Sequence, residues 1–192
     1  MGKKAEYKSS IRSRRLIKQA FIELMQEKNV EKITVTDIIT RADINRGTFY
    51  AHYKDTRDVI EQIINEIIIK VKGFIGEMHY KNFFKDPMPL LSEISDWLKK
   101  DLKFYKILIN SRGAEHFLTK LRDIIIKQIE TDIDTPERIK NCGVFFIYAH
   151  FIAGGIINLY QVWLQGDIDN SIEDINLEIS KILSNFSRLS DK

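Results

Sequence analysis

The sequence is poor in cysteine, proline and glycine, and these shortages exclude several classes of protein. Cys142 is the single cysteine in 192 residues, so no disulfide can form within the chain, which is typical of the reducing cytosol. Three prolines and nine glycines, with no stretch dominated by either, argue against long linkers. Because no apolar stretch follows the lysines near the start, we expect no secretory signal peptide and a cytoplasmic protein.

Patterns that carry catalysis or bind metals are also missing. The four histidines are scattered, and the sequence has no HExxH, no Cys-His metal spacing, no GxSxG and no glycine-rich phosphate loop. The adjacent pair Glu115 and His116 would point in different directions on a helix. We therefore expect no enzyme, no metal site and no cofactor.

One long segment has no charged residue. Residues 143–164 contain no Asp, Glu, Lys or Arg, and a bilayer span needs about 20 apolar residues. The segment nevertheless holds His150, Asn158 and Gln161, and no second such segment exists. A membrane span remains an alternative, but the pattern favours a buried or dimer-forming helix and no membrane partner.

Apolar residues recur at helical spacing along almost the whole chain, and no strand pattern appears. The sequence predicts an all-α fold of about nine helices. Thr34 and Asp37 have the spacing of a capping box at the start of a short helix, and Asn45 is suited to cap the next one. Further starts are expected at Asp55, at residues 135–137 (Thr-Pro-Glu) and at Ser171, which forms a second capping box with Asp174.

The two short helices, with the first helix before them, predict a helix-turn-helix. In that motif the second helix presents its N-terminal residues to the major groove. Phe49 and Tyr53, four residues apart, would face the core and leave Arg46, Thr48 and His52 outside. The alternative is a small helical subdomain with a polar surface.

Positive charge is concentrated in the same part of the chain. Residues 1–57 hold 13 Lys and Arg against 7 Asp and Glu, whereas residues 58–192 hold 17 against 20. A basic N-terminal part on a slightly acidic body suggests a polyanionic partner for the first part, although chance asymmetry is the alternative. We expect a helix-turn-helix domain at 1–57 and a helical sensing and dimerisation domain at 58–192.

Residues 33–53 closely resemble the signature of the TetR (tetracycline-repressor-like) family, roughly T-V-x-D-I-A-x-x-A-G-V-S-x-G-T-F-Y-x-H-F. The resemblance implies a homodimeric transcriptional regulator, a repressor that binds a palindromic operator and is released or modulated by a signal in its C-terminal domain. Residues 102–108 and 154–166 also look like the C-terminal domain of dihydroxyacetone-kinase-operon-type TetR regulators. The residues expected to bind double-stranded operator DNA are Thr36, Asn45, Arg46, Gly47, Thr48, Tyr50, His52 and Lys54.

Two positions depart from the family pattern. Thr56 stands where the family usually has a lysine at the start of helix four, so Arg57 or Lys54 would have to take over its phosphate contact. Asp43 replaces the usual turn glycine, a smaller change because Asp tolerates the left-handed backbone better than most residues.

The C-terminal part is expected to dimerise and to sense a signal, either a small molecule or a protein partner. The helices at about 136–164 and 172–188 are the expected dimer surface, through Phe145, Ala149, Ile152, Ala153, Ile156, Ile179 and Leu183. The first of them could instead be the buried centre of a monomer. Candidate ligand-binding residues, each of which could also belong to the core, are Trp97, Phe104, Tyr105, Phe117, Tyr148 and His150.

Overall fold

The computed structural model describes residues 2–76, 80–111, 114–131 and 143–190, and these residues form ten α-helices without a strand. The all-α expectation is confirmed. The helices are α1 (Gly2–Met25), α2 (Val35–Ala42), α3 (Arg46–Tyr50), α4 (Thr56–Gly76), α5 (Tyr80–Lys85), α6 (Met88–Lys99), α7 (Leu102–Ile109), α8 (Ala114–Thr131), α9 (Gly143–Gln165) and α10 (Ile172–Ser190).

The chain divides into two compact units, Met1–Ile67 and Ile68–Lys192, and α4 contributes residues to both. In the first unit α1 packs against α2 and α3. The apolar faces of these helices are turned inwards, so their side chains, like that of Tyr53 just after α3, are almost completely buried: Ile17, Phe21, Ile38 and Phe49. The functional boundary that the sequence suggests after residue 57 remains a prediction.

In the second unit, α9 packs against α7 and α8, while α10 packs against α5, α6 and α9. The apolar face of α10 follows from its spacing, since Ile172, Ile175, Ile179 and Leu183 recur every three or four residues and are all buried. Gly166 directly follows α9 and terminates the helix with φ of 85°, a left-handed conformation that favours glycine.

Most helix starts follow the local capping chemistry. Ser171 accepts a hydrogen bond from the Asp174 backbone N–H at 3.1 Å, and Asp55 accepts one from the Asp58 N–H at 2.8 Å. The first helix begins earlier than its apolar pattern indicated, at Gly2 rather than near residue 10, and α3 ends at Tyr50 rather than near Tyr53. The helix start expected at residues 135–137 lies outside the described residues.

A buried polar network joins three helices of the second unit. The Tyr160 hydroxyl on α9 donates to Asn176 Oδ1 on α10 at 2.7 Å, and burial raises the pKa of Tyr160 to about 12. Asn176 Nδ2 in turn donates to Ser95 Oγ at 2.7 Å and to the Leu91 carbonyl at 3.3 Å, both on α6. Asn176 and Ser95 are each only 2% exposed, so the network fixes how α6, α9 and α10 align.

Replacing Asn176 by leucine should destabilise the protein by about 1–3 kcal/mol, because the buried Tyr160 hydroxyl would lose its acceptor. Adding Tyr160→Phe to that variant should recover part of the loss, since no unpaired hydroxyl would then remain. Urea denaturation followed by circular dichroism measures both effects. A double variant as unstable as the sum of its two single variants would show that the two groups are not coupled.

Candidate nucleic-acid interface

The first helix of the motif, α2, is fixed by a complete capping box. The Thr34 hydroxyl accepts from the Asp37 N–H at 3.2 Å, and Asp37 Oδ2 accepts from the Thr34 N–H at 2.8 Å. Lys28 Nζ lies 2.7 Å from the same carboxylate. The hydrogen bonds from Lys28 and Thr34 lower the pKa of Asp37 to about 2, so this carboxylate is charged at neutral pH.

The turn between α2 and α3 depends on Asp43. Its φ of 50° and ψ of 53° are left-handed, the conformation for which the family pattern uses glycine. The following Ile44 N–H donates to the Ile39 carbonyl at 3.1 Å, which closes the end of α2. The expectation that aspartate can occupy this turn is confirmed.

Asn45 acts as the N-cap of α3. Its Oδ1 accepts from the Thr48 N–H at 2.7 Å and from the Thr48 hydroxyl at 3.0 Å. A Cβ at Gly47 would come within 3.3 Å of the same oxygen, so the glycine leaves room for the cap. Because the Thr48 proton is directed to Asn45, its methyl group and oxygen lone pairs remain for contacts from outside.

Arg46 stands exposed at the N-terminal tip of α3. Its Nη2 donates to the hydroxyl of Thr36 on α2 at 3.0 Å, which joins two of the expected DNA-binding residues. This contact orients the guanidinium while leaving most of its five N–H donors for another acceptor.

The remaining expected contacts lie farther along the same segment. Tyr50 is 52% exposed, and its ring packs edge-to-face on Phe49 with 5.4 Å between centroids. Lys54 is exposed and His52 is half-buried. Burial lowers the pKa of His52, and the positive charge of Arg14 lowers it further, so the imidazole is neutral at neutral pH. We therefore expect His52 to contribute a hydrogen bond rather than a charge.

Carboxylates surround the N-terminus of α4. Asp55 caps the helix, and Asp58 Oδ2 accepts from the Lys54 N–H at 2.9 Å. Thr56, the first residue of α4, is uncharged, and Arg57 next to it is exposed. Whether Arg57 or Lys54 takes over a phosphate contact therefore remains a prediction.

Two sequence profiles of known regulators match this chain. Residues 17–63 match the sequence profile described as "Bacterial regulatory proteins, tetR family". Residues 85–185, more than half of the chain, match a second TetR profile described as "Transcriptional regulator C-terminal region". The chain belongs to the TetR family. This confirms the resemblance found in residues 33–53, and the family consists of DNA-binding regulators rather than enzymes.

Individual TetR-family relatives are distant. An uncharacterised regulator from Bacillus subtilis, YxbF, is 22% identical over 88% of this chain and 44% of its own length. The dhaKLM operon transcriptional activator DhaS of Lactococcus lactis is 27% identical over 57% of this chain and 56% of its own. This chain thus spans about half the length of the curated relatives that it matches. A putative TetR-family regulator from Syntrophomonas wolfei shares the fold, with a TM-score of 0.68, 17% identity, and 91% and 94% of the two chains covered.

Within the described part of this TetR-family chain, the residues expected to bind a ligand lie in two settings, an aromatic group on α6 to α8 and the exposed side of α9. Trp97 and Tyr105 stack with 4.9 Å between ring centroids, and Phe104 packs on Tyr105 at 5.1 Å. Phe117 is buried, whereas Tyr148 and His150 are exposed on α9. A cavity of about 500 Å³ lies elsewhere, lined by Ile109, Asn110, Ser111, Ala114, Glu115, Leu118, Gln161 and Gln165.

The residues expected at a dimer surface lie mostly inside the second unit. Six of them are less than 9% exposed and Ile156 is half-buried: Phe145, Ala149, Ile152, Ala153, Ile156, Ile179 and Leu183. Phe145 and Ala149 pack with Ile129 of α8, because α8 covers this face of α9 within the same chain. The burial of this face agrees with the alternative expectation, in which the helix is the buried centre of a monomer. The exposed apolar residues of α9, on the other side, are Phe146, Ile147, Tyr148 and Phe151.

By length and composition alone, the part of α9 from Phe145 to Gln165 could cross a membrane. Within this fold a third of it is buried, and it packs against α7, α8 and α10. TetR-family regulators are in general soluble cytoplasmic proteins. The segment lacks charged residues because one face of α9 is buried within the fold and its other face is also apolar.

Tyr53 stands where the family pattern has phenylalanine. It is 2% exposed, its hydroxyl has no hydrogen-bond partner among the described residues, and burial raises its pKa to about 12. Tyr53→Phe should therefore stabilise the protein by on the order of 1 kcal/mol, because it removes a buried unpaired hydroxyl and keeps the ring. Tyr50→Phe, on an exposed ring, should change the free energy of unfolding by less than about 0.5 kcal/mol.

Chemical denaturation of both variants checks this expectation. A clear loss of stability in Tyr53→Phe would mean that the hydroxyl has a partner in solution.

Proposed function

We propose that the protein is a cytoplasmic transcriptional regulator that binds a palindromic operator as a homodimer, with α3 of each subunit in the major groove. The observation that carries this proposal is the two-sided character of α3. Phe49 is fully buried on one side, while Arg46, oriented by Thr36, is exposed at the N-terminal tip on the other. A helix that is buried on one side and carries an exposed cation at its N-terminus suits insertion into a groove of DNA.

The exposed residues divide into two chemical roles. Arg46 can donate two hydrogen bonds to guanine O6 and N7, and the Thr48 methyl can contact a thymine methyl, so these two would supply sequence preference. Thr36, Tyr50, His52 and Lys54 would bind phosphates and set the register, while Asn45 and Gly47 shape the helix start. The recognition helices of a dimer would enter grooves one turn apart, roughly 34–36 Å.

The direction of regulation is open to experiment. The sequence suggested a repressor, whereas the relative from Lactococcus lactis is named an activator. For the signal we propose the cavity at the ends of α7, α8 and α9, because its amide, hydroxyl and carboxylate side chains suit a small polar effector. Asn110, Ser111, Glu115, Gln161 and Gln165 are the polar residues that line it.

For the dimer we propose the exposed face of α9. Ile147 is 61% exposed and Phe151 is 64% exposed, four residues apart and so on one face. Gly155 continues the same face, and a Cβ there would meet nothing within 4 Å in the single chain. A stripe of apolar residues and glycine lets a partner helix approach closely, and α10 adds the half-exposed Ile182.

Binding of the purified protein to duplex DNA flanking its own gene tests the proposal. Gel shifts at two salt concentrations should show a specific complex that weakens as salt increases. Arg46→Ala should weaken specific binding by about 1–3 kcal/mol, because a bidentate base contact would be lost. Arg122→Ala, on an exposed arginine of α8, is the matched control. No complex with any flanking duplex in dilute salt would refute the proposed function.

The dimer surface has a separate test. Ile147→Glu should shift the protein towards monomer in sedimentation velocity, because a charge would be buried in the interface. Ile69→Glu, at a position 68% exposed on α4 and outside the stripe, should leave the dimer intact. Gly155→Phe should also weaken the dimer by placing a ring in the stripe, and we expect the helix to remain because a Cβ at Gly155 meets nothing within 4 Å in the single chain. If Ile147→Glu and Gly155→Phe both remain dimeric, the interface lies elsewhere.

A further inference from the structure

Three exposed arginines lie on α1, outside the helix-turn-helix proper: Arg12, Arg14 and Arg15. They point in different directions, since successive residues are about 100° apart around a helix. Arg14 is the one beside the buried face, because it precedes the fully buried Ile17 by three residues and Lys18 by four. It therefore lies along the edge where α1 meets its neighbours.

The groups around Arg14 identify that edge. Lys18, one turn further along α1, forms an ion pair with Glu66 of α4. Ile17 and Phe21 pack in the core that also buries Phe49 and Tyr53 from the α3 segment. Helix α1 packs against α3, and the positive charge of Arg14 adds to the effect of burial in lowering the pKa of His52, which follows the C-terminal end of α3. Arg14 thus lies on the edge of α1 near the α3 segment, close enough for its charge to act on His52.

The cation at this edge is available for a partner. Among the described residues no carboxylate forms an ion pair with Arg14, whereas Lys18 on the same face is paired with Glu66. The N-terminus of α4, the other element at this edge, begins with uncharged Thr56 between the carboxylates of Asp55 and Asp58. Those carboxylates oppose a phosphate at that helix end, and His52 is neutral, so Arg14 on α1 adds to the positive potential of the exposed Lys54 and Arg57.

We propose that Arg14 binds a backbone phosphate of the operator next to His52, and so acts as a positioning residue that helps to set the depth and register of α3 in the groove. This inference rests on the proposed function. Phosphate contacts fix orientation on the duplex without reading its sequence, so Arg14 contributes to the affinity for every duplex.

The test uses the full-length protein, a fluorescein-labelled duplex containing its operator, and anisotropy titrations at several salt concentrations. Each lost phosphate contact lowers the slope of log affinity against log salt by about 0.9, so Arg14→Gln should lower it by about 1.8 in a dimer. The ratio of wild-type to Arg14→Gln affinity for the operator should therefore fall about ten-fold between about 50 mM and about 200 mM salt. Arg14→Lys should keep most of the wild-type slope.

Two control variants separate a contact from a general charge effect. Arg12→Gln removes the same charge from α1 but from a position about 160° away around the helix. Arg122→Gln removes it from the second unit. Both control variants should leave the slope within about 0.5 of the wild-type value. In a separate rescue, Thr56→Lys in the Arg14→Gln background should restore part of the slope, because it returns a cation to the same edge.

The outcomes distinguish this inference from the proposed function. If the wild type binds its operator and Arg14→Gln keeps the wild-type slope, or loses no more than Arg12→Gln, the Arg14 contact is overturned while the regulator stands. If the wild type binds no duplex, both fail. A lowered slope in Arg14→Gln alone, with an unchanged melting temperature, supports the contact.

Discussion

The burial of Phe49 is the constraint on which the proposed DNA-binding surface depends. A five-residue helix such as α3 is too short to be stable on its own, so its orientation comes from packing. Phe49 is completely buried where α3 packs against α1 and α2, and this burial fixes which side of α3 faces away from the protein. The position of Arg46 follows, and its hydrogen bond to Thr36 then limits the guanidinium to few orientations.

Local hydrogen bonds complete the same surface. Asn45 and Thr34 cap their helices, and Asp43 holds the left-handed turn between them, so backbone geometry and exposed side chains are specified together. Gly47 belongs to the same arrangement, because its lack of a Cβ leaves space for the Asn45 side chain that caps α3. Tyr53 is the exception, since its buried hydroxyl finds no partner among the described residues.

The second unit rests on a different principle. Helix α9 is apolar around most of its circumference, but the two sides have different neighbours. α8 covers the side that carries Phe145 and Ala149, whereas Ile147 and Phe151 remain exposed. The network of Tyr160, Asn176 and Ser95 fixes the alignment of α9 with α6 and α10, and therefore which residues of α9 remain exposed.

The sequence by itself determined the all-α class and the helix-turn-helix with its caps and turn, because these depend on interactions between residues less than about five positions apart. The family could be read from the same short segment. Only the tertiary structure decided which face of α9 is covered, that Trp97 and Tyr105 stack on each other, and that a cavity opens at the ends of α7, α8 and α9. An apolar helix without charges has no polar face in its sequence to indicate the exposed side. The choice therefore depends on the packing of helices that are distant in the chain, which no local pattern specifies.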